Sequence, residues 1–140
     1  MPVVFNDPVA GVIGVAHAGW RGALGGITDA AIEAMVAAGA TPHDIRAAMG
    51  PCICVSCFEV GEEVASLFPE EVVVRDGVKP HVDLPRYVRN RLLASGLTDA
   101  NIAMPRACTK CQPHRYFSAR NLGIASGRVF TFITKTAVDC

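Results

Sequence analysis

The run Val12-Ile13-Gly14-Val15-Ala16-His17-Ala18-Gly19-Trp20-Arg21-Gly22 constrains this chain more than any other stretch. Its β-branched residues read as a buried strand that delivers His17 to its C-terminal end, turns tightly on Gly19 and opens a helix near Gly22. In open α/β layers, that end of a strand is where ligands bind. His17 offers an imidazole that ligates a metal or moves a proton near neutral pH, and Arg21 a planar fork for phosphate or carboxylate. Trp20, the only tryptophan, offers a face for stacking on a ring. The same residues also fit a core histidine, a packing tryptophan and a surface charge at a helix start, and the spacing alone forces neither reading.

A strand over residues 3–5 precedes this run and ends in the turn Asn6-Asp7-Pro8, so a hairpin with 12–16 is expected. Apolar residues at Leu24, Ile27, Ala31, Met35 and Ala38 predict a covering helix over 23–38, stopped by Gly39. Thr41-Pro42 opens a short helical turn that leaves His43 and Asp44 solvated. A strand over 45–49 follows, then Ser56 as cap of a helix over 57–67 with Glu59, Glu62 and Glu63 in its first turns. Strands over 72–75 and 78–82 flank Asp76-Gly77. Asp83 caps a helix over 84–95, ended by Gly96, with Tyr87, Val88, Leu92 and Leu93 facing one way and Arg86, Arg89, Asn90 and Arg91 largely the other. A short strand over 101–104, an irregular segment over 107–121, a last strand over 129–134 and a loose tail over 135–140 complete the expectation.

At 140 residues, the chain is expected to form one domain with a real core. With 51% hydrophobic and 19% charged residues and a mean hydropathy of +0.32, it is apolar enough to hide surface against a partner. Its 13 basic residues balance 13 acidic ones, which leaves no electrostatic footprint for nucleic acid or an anionic membrane. No apolar run approaches the roughly 18 residues of a membrane span, and the opening residues lack the build of a signal peptide, so a cytoplasmic location is expected.

Six cysteines in such a chain point to thiols, metal or packing, and reduced thiols are the expectation. Cys54-x-x-Cys57 and Cys108-x-x-Cys111 are nevertheless the raw material of a four-thiolate zinc site or of a redox pair. The gap between the pairs far exceeds the roughly 15–20 residues of ordinary zinc ribbons. The segment after Cys108 mixes bases and aromatics in a loop. There Arg115 or Arg120 suits an anion and Tyr116 or Phe117 a planar ring, although an ordinary packed surface loop has the same composition. No glycine-rich phosphate loop is present.

V-A-H-A-G-W-R-G at 15–22, G-P-C-I-C-V-S-C-F-E-V-G-E-E-V at 50–64, V-D-L at 82–84, C-T-K-C at 108–111, F-S-A-R at 117–120 and the closing strand make the sequence similar to the YfiH/laccase-domain family over most of its length. That family is described both as multicopper polyphenol oxidases and as purine nucleoside phosphorylases. The resemblance implies an α+β fold, a layered α/β/β/α sandwich with mixed sheets. It also implies a single zinc held by two histidines and a cysteine, with His17 as one ligand. The family's cysteine and second histidine belong to A-D-C-x-P and Q-V-H-G motifs N-terminal to H-A-G-W-R-G. This sequence starts at Met1-Pro2-Val3-Val4-Phe5, so it is expected to be N-terminally truncated relative to the family, without those two ligands. Cys54 stands where relatives often have glycine, and Asn121 where a second arginine is common.

The implied partners are a purine nucleoside and phosphate, and the implied reaction is phosphate attack on the ribosyl carbon, with adenosine deamination as a companion activity. Arg21 and Arg120 are the candidates for stabilising phosphate or ribosyl charge, with Trp20 and Phe117 for holding the base. Two other readings stand beside this one. A copper-dependent polyphenol oxidase has little imidazole to use, with His17, His43, His81 and His114 the only histidines. A non-catalytic domain of the same fold is the third. A first strand left as an open edge would favour a homodimer.

Overall fold

The computed structural model describes residues 1–136. Residues 137–140, the end of the expected tail, with Cys140, lie outside the described residues.

Strand β1 (Pro2–Asp7) alternates strictly, with Val3, Phe5 and Asp7 buried. It turns at Gly11, whose φ of 66° is open to glycine, into β2 (Val12–His17). Pairing runs antiparallel from Asp7 opposite Val12 to Pro2 opposite His17, as the turn residues predict. The covering helix is interrupted: α1 (Trp20–Leu24) and α2 (Ile27–Ala37) are separated by Gly25-Gly26, with Gly26 at φ 77°. Two adjacent glycines allow the left-handed step that ends one helix and starts the next.

Strand β3 (Arg46–Met49) pairs antiparallel with the other edge of β1. The helix expected over 57–67 is instead a 3-10 turn at Val55–Cys57 and a short α3 (Glu62–Ala65) begun at Gly61, and Ser56 caps neither. A long-range competitor takes the backbone between them. Val60 N donates to Pro80 O at 2.9 Å and Val82 N to Phe58 O at 3.2 Å. Strands β4 (Val73–Val74) and β5 (His81–Val82) form the expected hairpin, shortened to two residues each.

Helix α4 (Leu84–Ala94) is as its signals predict. Asp83 Oδ1 accepts from Arg86 N at 3.0 Å, and Gly96 follows at φ 94°. Its buried Val88 and Leu92 pack toward α2, which carries buried Ile32 and Met35, and Arg91 reaches Asp29 of α2 at 3.0 Å. Strand β6 (Ile102–Ala103) joins β3 in parallel, and α5 (Ala119–Leu122) follows the cysteine-bearing loop.

The main sheet therefore has the order β2-β1-β3-β6 and is mixed, which fits the α+β expectation. One expectation fails here. Strand β1 is interior, paired on both sides, and offers no edge to a second copy. The strand expected over 129–134 also fails, because among the described residues that segment has no ladder partner; Phe130 is 91% and Phe132 80% exposed. Among the described residues, no helix is long and apolar enough to cross a membrane.

Asp7 is the buried polar anchor of the hairpin. Its carboxylate accepts from Val9 N at 2.8 Å, Ala10 N at 2.9 Å and, across the fold, Thr41 N at 2.9 Å. The Ala10 and Thr41 amides hold its carboxyl below the usual carboxylate range against the cost of burial. A depressed carboxyl contributes stability that is complete above the ordinary range and is lost as pH falls through its own lowered value. Urea midpoints measured against pH should fall in that acidic window for the natural chain, and Asp7→Asn should flatten the fall while lowering the midpoint at pH 7. Phe5→Ala should cost about 3–5 kcal/mol of unfolding free energy in the same assay, because the ring is fully buried.

Candidate functional site

His17 is the last residue of β2, opposite Pro2, and its side chain stands on the exposed side of the strand while Ala16 turns inward. The turn that follows is close-packed. A Cβ added at Gly19 would stand 3.2 Å from His17 Nε2, and one at Gly22 would stand 3.2 Å from His17 O. Ala23 N donates to Gly19 O at 2.7 Å, so α1 begins at once. That abrupt start sends the next two side chains elsewhere, and the Arg21 guanidinium lies over the Trp20 ring at 4.2 Å.

A cleft of about 570 Å³ opens beside His17. Phe58, Tyr116, Phe117, Arg120 and Arg128 line it with the histidine. The structure thus brings His17, Phe117 and Arg120 together, and places Trp20 and Arg21 outside the lining. Arg120 is positioned by the segment that the broken helix leaves extended. Its Nη1 donates to Glu59 O at 2.6 Å, and its guanidinium lies 5.2 Å from the centre of the Phe58 ring. Phe58 and Arg128 were missed by sequence reasoning. Phe58 lies inside the F-E-V-G stretch and could have been found there, whereas Arg128 stands in no motif.

The His17 imidazole can accept or donate a hydrogen bond through its ring nitrogens. Cys52, also in the cleft wall, is pushed up to about 11, chiefly by burial, and so remains a thiol.

A three-ligand metal site around His17 is not formed by the described residues. Among them, one group brings three or more metal-donor side chains together, and it holds no histidine. It is the four cysteines Cys54, Cys57, Cys108 and Cys111, whose Sγ atoms all lie within 4.8 Å of one another. Sequence spacing kept the two pairs apart; the fold joins them through a parallel bridge between Cys52 and Cys108, with Thr109 N donating to Cys52 O at 3.0 Å. Cys57 Sγ and Cys111 Sγ are 3.4 Å apart, and Cys108 Sγ accepts from Cys54 N at 3.3 Å and Cys111 N at 3.5 Å. Burial opposes ionisation of Cys108, but these two amides and the neighbouring thiols outweigh it and bring the group down to about 6. Cys57 moves the other way because it shares a hydrogen bond with Cys111.

The sequence profile of the family described as multi-copper polyphenol oxidoreductase laccase matches residues 1–136. A protein of an unknown prokaryotic organism named adenosine deaminase RL5 is 46% identical across 95% of this chain and 54% of its own length. A purine nucleoside phosphorylase of Deinococcus radiodurans is 39% identical across 94% of this chain and 52% of its own. The chain therefore spans about half the length of these relatives. Among solved structures, YfiH of Bacillus licheniformis superposes with a TM-score of 0.79 at 30% identity over 85% of this chain and 48% of that one. YlmD of Geobacillus stearothermophilus does so with 0.78 at 33% identity over 85% and 47%. With a profile match over residues 1–136 and the same fold in YfiH and YlmD, this chain belongs to the laccase-like family that contains them.

Proposed function

We propose that this chain carries the nucleoside and phosphate cleft of a purine nucleoside phosphorylase. One observation carries the reading: an imidazole, two guanidinium groups and aromatic rings line a single cleft of about 570 Å³. That inventory suits a planar base, a ribose and an anion together. In phosphorolysis a phosphate oxygen bonds to the ribosyl carbon that carries the base. The carbon–nitrogen bond breaks with its electron pair going to the purine, which takes up a proton, and ribose 1-phosphate remains.

Arg120 and Arg128 hold the phosphate, with Arg120 pre-aimed by its bond to Glu59 O. His17 accepts the hydrogen bond of the attacking phosphate, and Phe117 with Tyr116 stacks the purine. Arg21, stacked on Trp20 outside the lining, makes no direct contact in this reading. Similarity to a protein named adenosine deaminase supports a second outcome at the same cleft, hydrolytic loss of the purine amino group as ammonia. A multicopper reading is less well supported, because such centres lean on several imidazoles and His17 is the histidine of the cleft lining.

The test is phosphate-dependent release of hypoxanthine from inosine by the purified chain. His17→Ala should lower kcat/KM by about 10²–10⁴, the usual worth of a positioned proton acceptor. Arg120→Ala should raise KM for phosphate, and Phe117→Ala should raise KM for the nucleoside with less effect on phosphate. Ammonia from adenosine without base release would replace phosphorolysis by deamination, and neither product would reduce the chain to a domain that keeps the fold without the activity.

A further inference from the structure

We propose that Cys54, Cys57, Cys108 and Cys111 form a structural zinc site that fastens the cysteine-bearing loop, and with it one wall of the cleft, to the rest of the fold. Four Sγ atoms already share one small volume, with every pair within 4.8 Å. A tetrahedral zinc with bonds near 2.3 Å sets its sulfurs about 3.8 Å apart, so the cluster reaches that geometry by shifts below an ångström. The two C-x-x-C pairs have the short spacing that lets adjacent cysteines bind one ion. Disulfides would draw the sulfurs together two by two, near 2.05 Å, whereas here all four share one volume and the Cys57 and Cys111 sulfurs stand 3.4 Å apart.

The surroundings are those of bound thiolates. Cys108 Sγ accepts from two backbone amides, at 3.3 and 3.5 Å, and such donors stabilise sulfur carrying negative charge. Soft sulfur donors in a tetrahedral array select zinc over the hard cations. Four protein ligands leave no position for water or substrate, so the ion is structural and takes no part in the chemistry of the cleft. This inference is independent of the phosphorylase reading.

The consequence for the cleft follows from neighbouring contacts. Thr109, between the cysteines of the second pair, lines the cleft. Lys110, also between them, accepts a hydrogen bond through its carbonyl from Asn121 Nδ2 at 3.0 Å, beside Arg120 on α5. Holding the cysteines therefore holds the segment that presents Arg120.

The experiment needs no turnover. The chain is produced in zinc-supplemented medium, purified under reducing conditions and analysed for metals, and cobalt is then exchanged in. About one zinc per chain is expected in the natural protein and in His17→Ala, with most of it lost in Cys108→Ser and in Cys111→Ser. The cobalt form should show intense sulfur-to-metal charge transfer, and a strong chelator should lower the melting temperature. Zinc absent from the natural chain, zinc undiminished in both serine variants, iron in its place, or a mass showing disulfides under reducing conditions would each overturn the proposal. If both serine variants fail to fold, the cobalt spectrum of the natural chain decides alone: intense charge transfer supports the site, and its absence refutes it.

Discussion

Strand β1 is held along both edges, by β2 and by β3, and the rest of the structure depends on that double pairing. Because its inward residues are Val3, Phe5 and Asp7, one register satisfies both neighbours, and a slip of one residue would turn all three outward. The register that buries Phe5 is also the register that sets Pro2 opposite His17. Asp7 secures the other end, where its carboxylate ties the hairpin turn to Thr41 and so to the approach of β3. Core packing and placement of the histidine are thus one constraint.

The opposite side of the cleft has a different character. From Pro105 onward the described chain makes little regular structure, and its apolar side chains are largely exposed, as at Phe130 and Phe132. Its attachments to the rest are few and nameable: the Cys52–Cys108 bridge, the cysteine cluster, and Arg120 to Glu59 O. A rigid wall built on a sheet faces a wall held at points. Segments with few buried apolar contacts open at low free-energy cost, so the cleft owes its shape mainly to those points.

What the sequence made legible is local. The first hairpin follows from its turn residues, and α4 follows from Asp83 at one end and Gly96 at the other, because caps and turns act within a few residues. What it hid is non-local. Nothing near Cys57 announces that Phe58 and Val60 will bond to the segment at Pro80–Val82, and that pairing dissolves the expected helix. In the site, His17, Phe117 and Arg120 were readable as residue types with suitable chemistry. Trp20 and Arg21 stand outside the cleft lining, because adjacency in a motif does not fix direction and the chain turns sharply into α1 just after Gly19. Each cysteine pair was visible, but their meeting depends on a bridge between distant segments.

That distance has a consequence during synthesis. Cys54 and Cys108 are 54 positions apart, so at roughly 5–20 residues per second the ribosome delivers the first pair about 3–10 s before the second begins to arrive. The β1–β2 hairpin, made of close neighbours, can form in that interval, whereas Cys54 and Cys57 wait as free thiols with nothing to converge on. A nascent chain therefore meets its oxidants and competing metals with half of the cluster in hand, and the reducing state of its surroundings in those seconds bears on whether the four sulfurs ever meet.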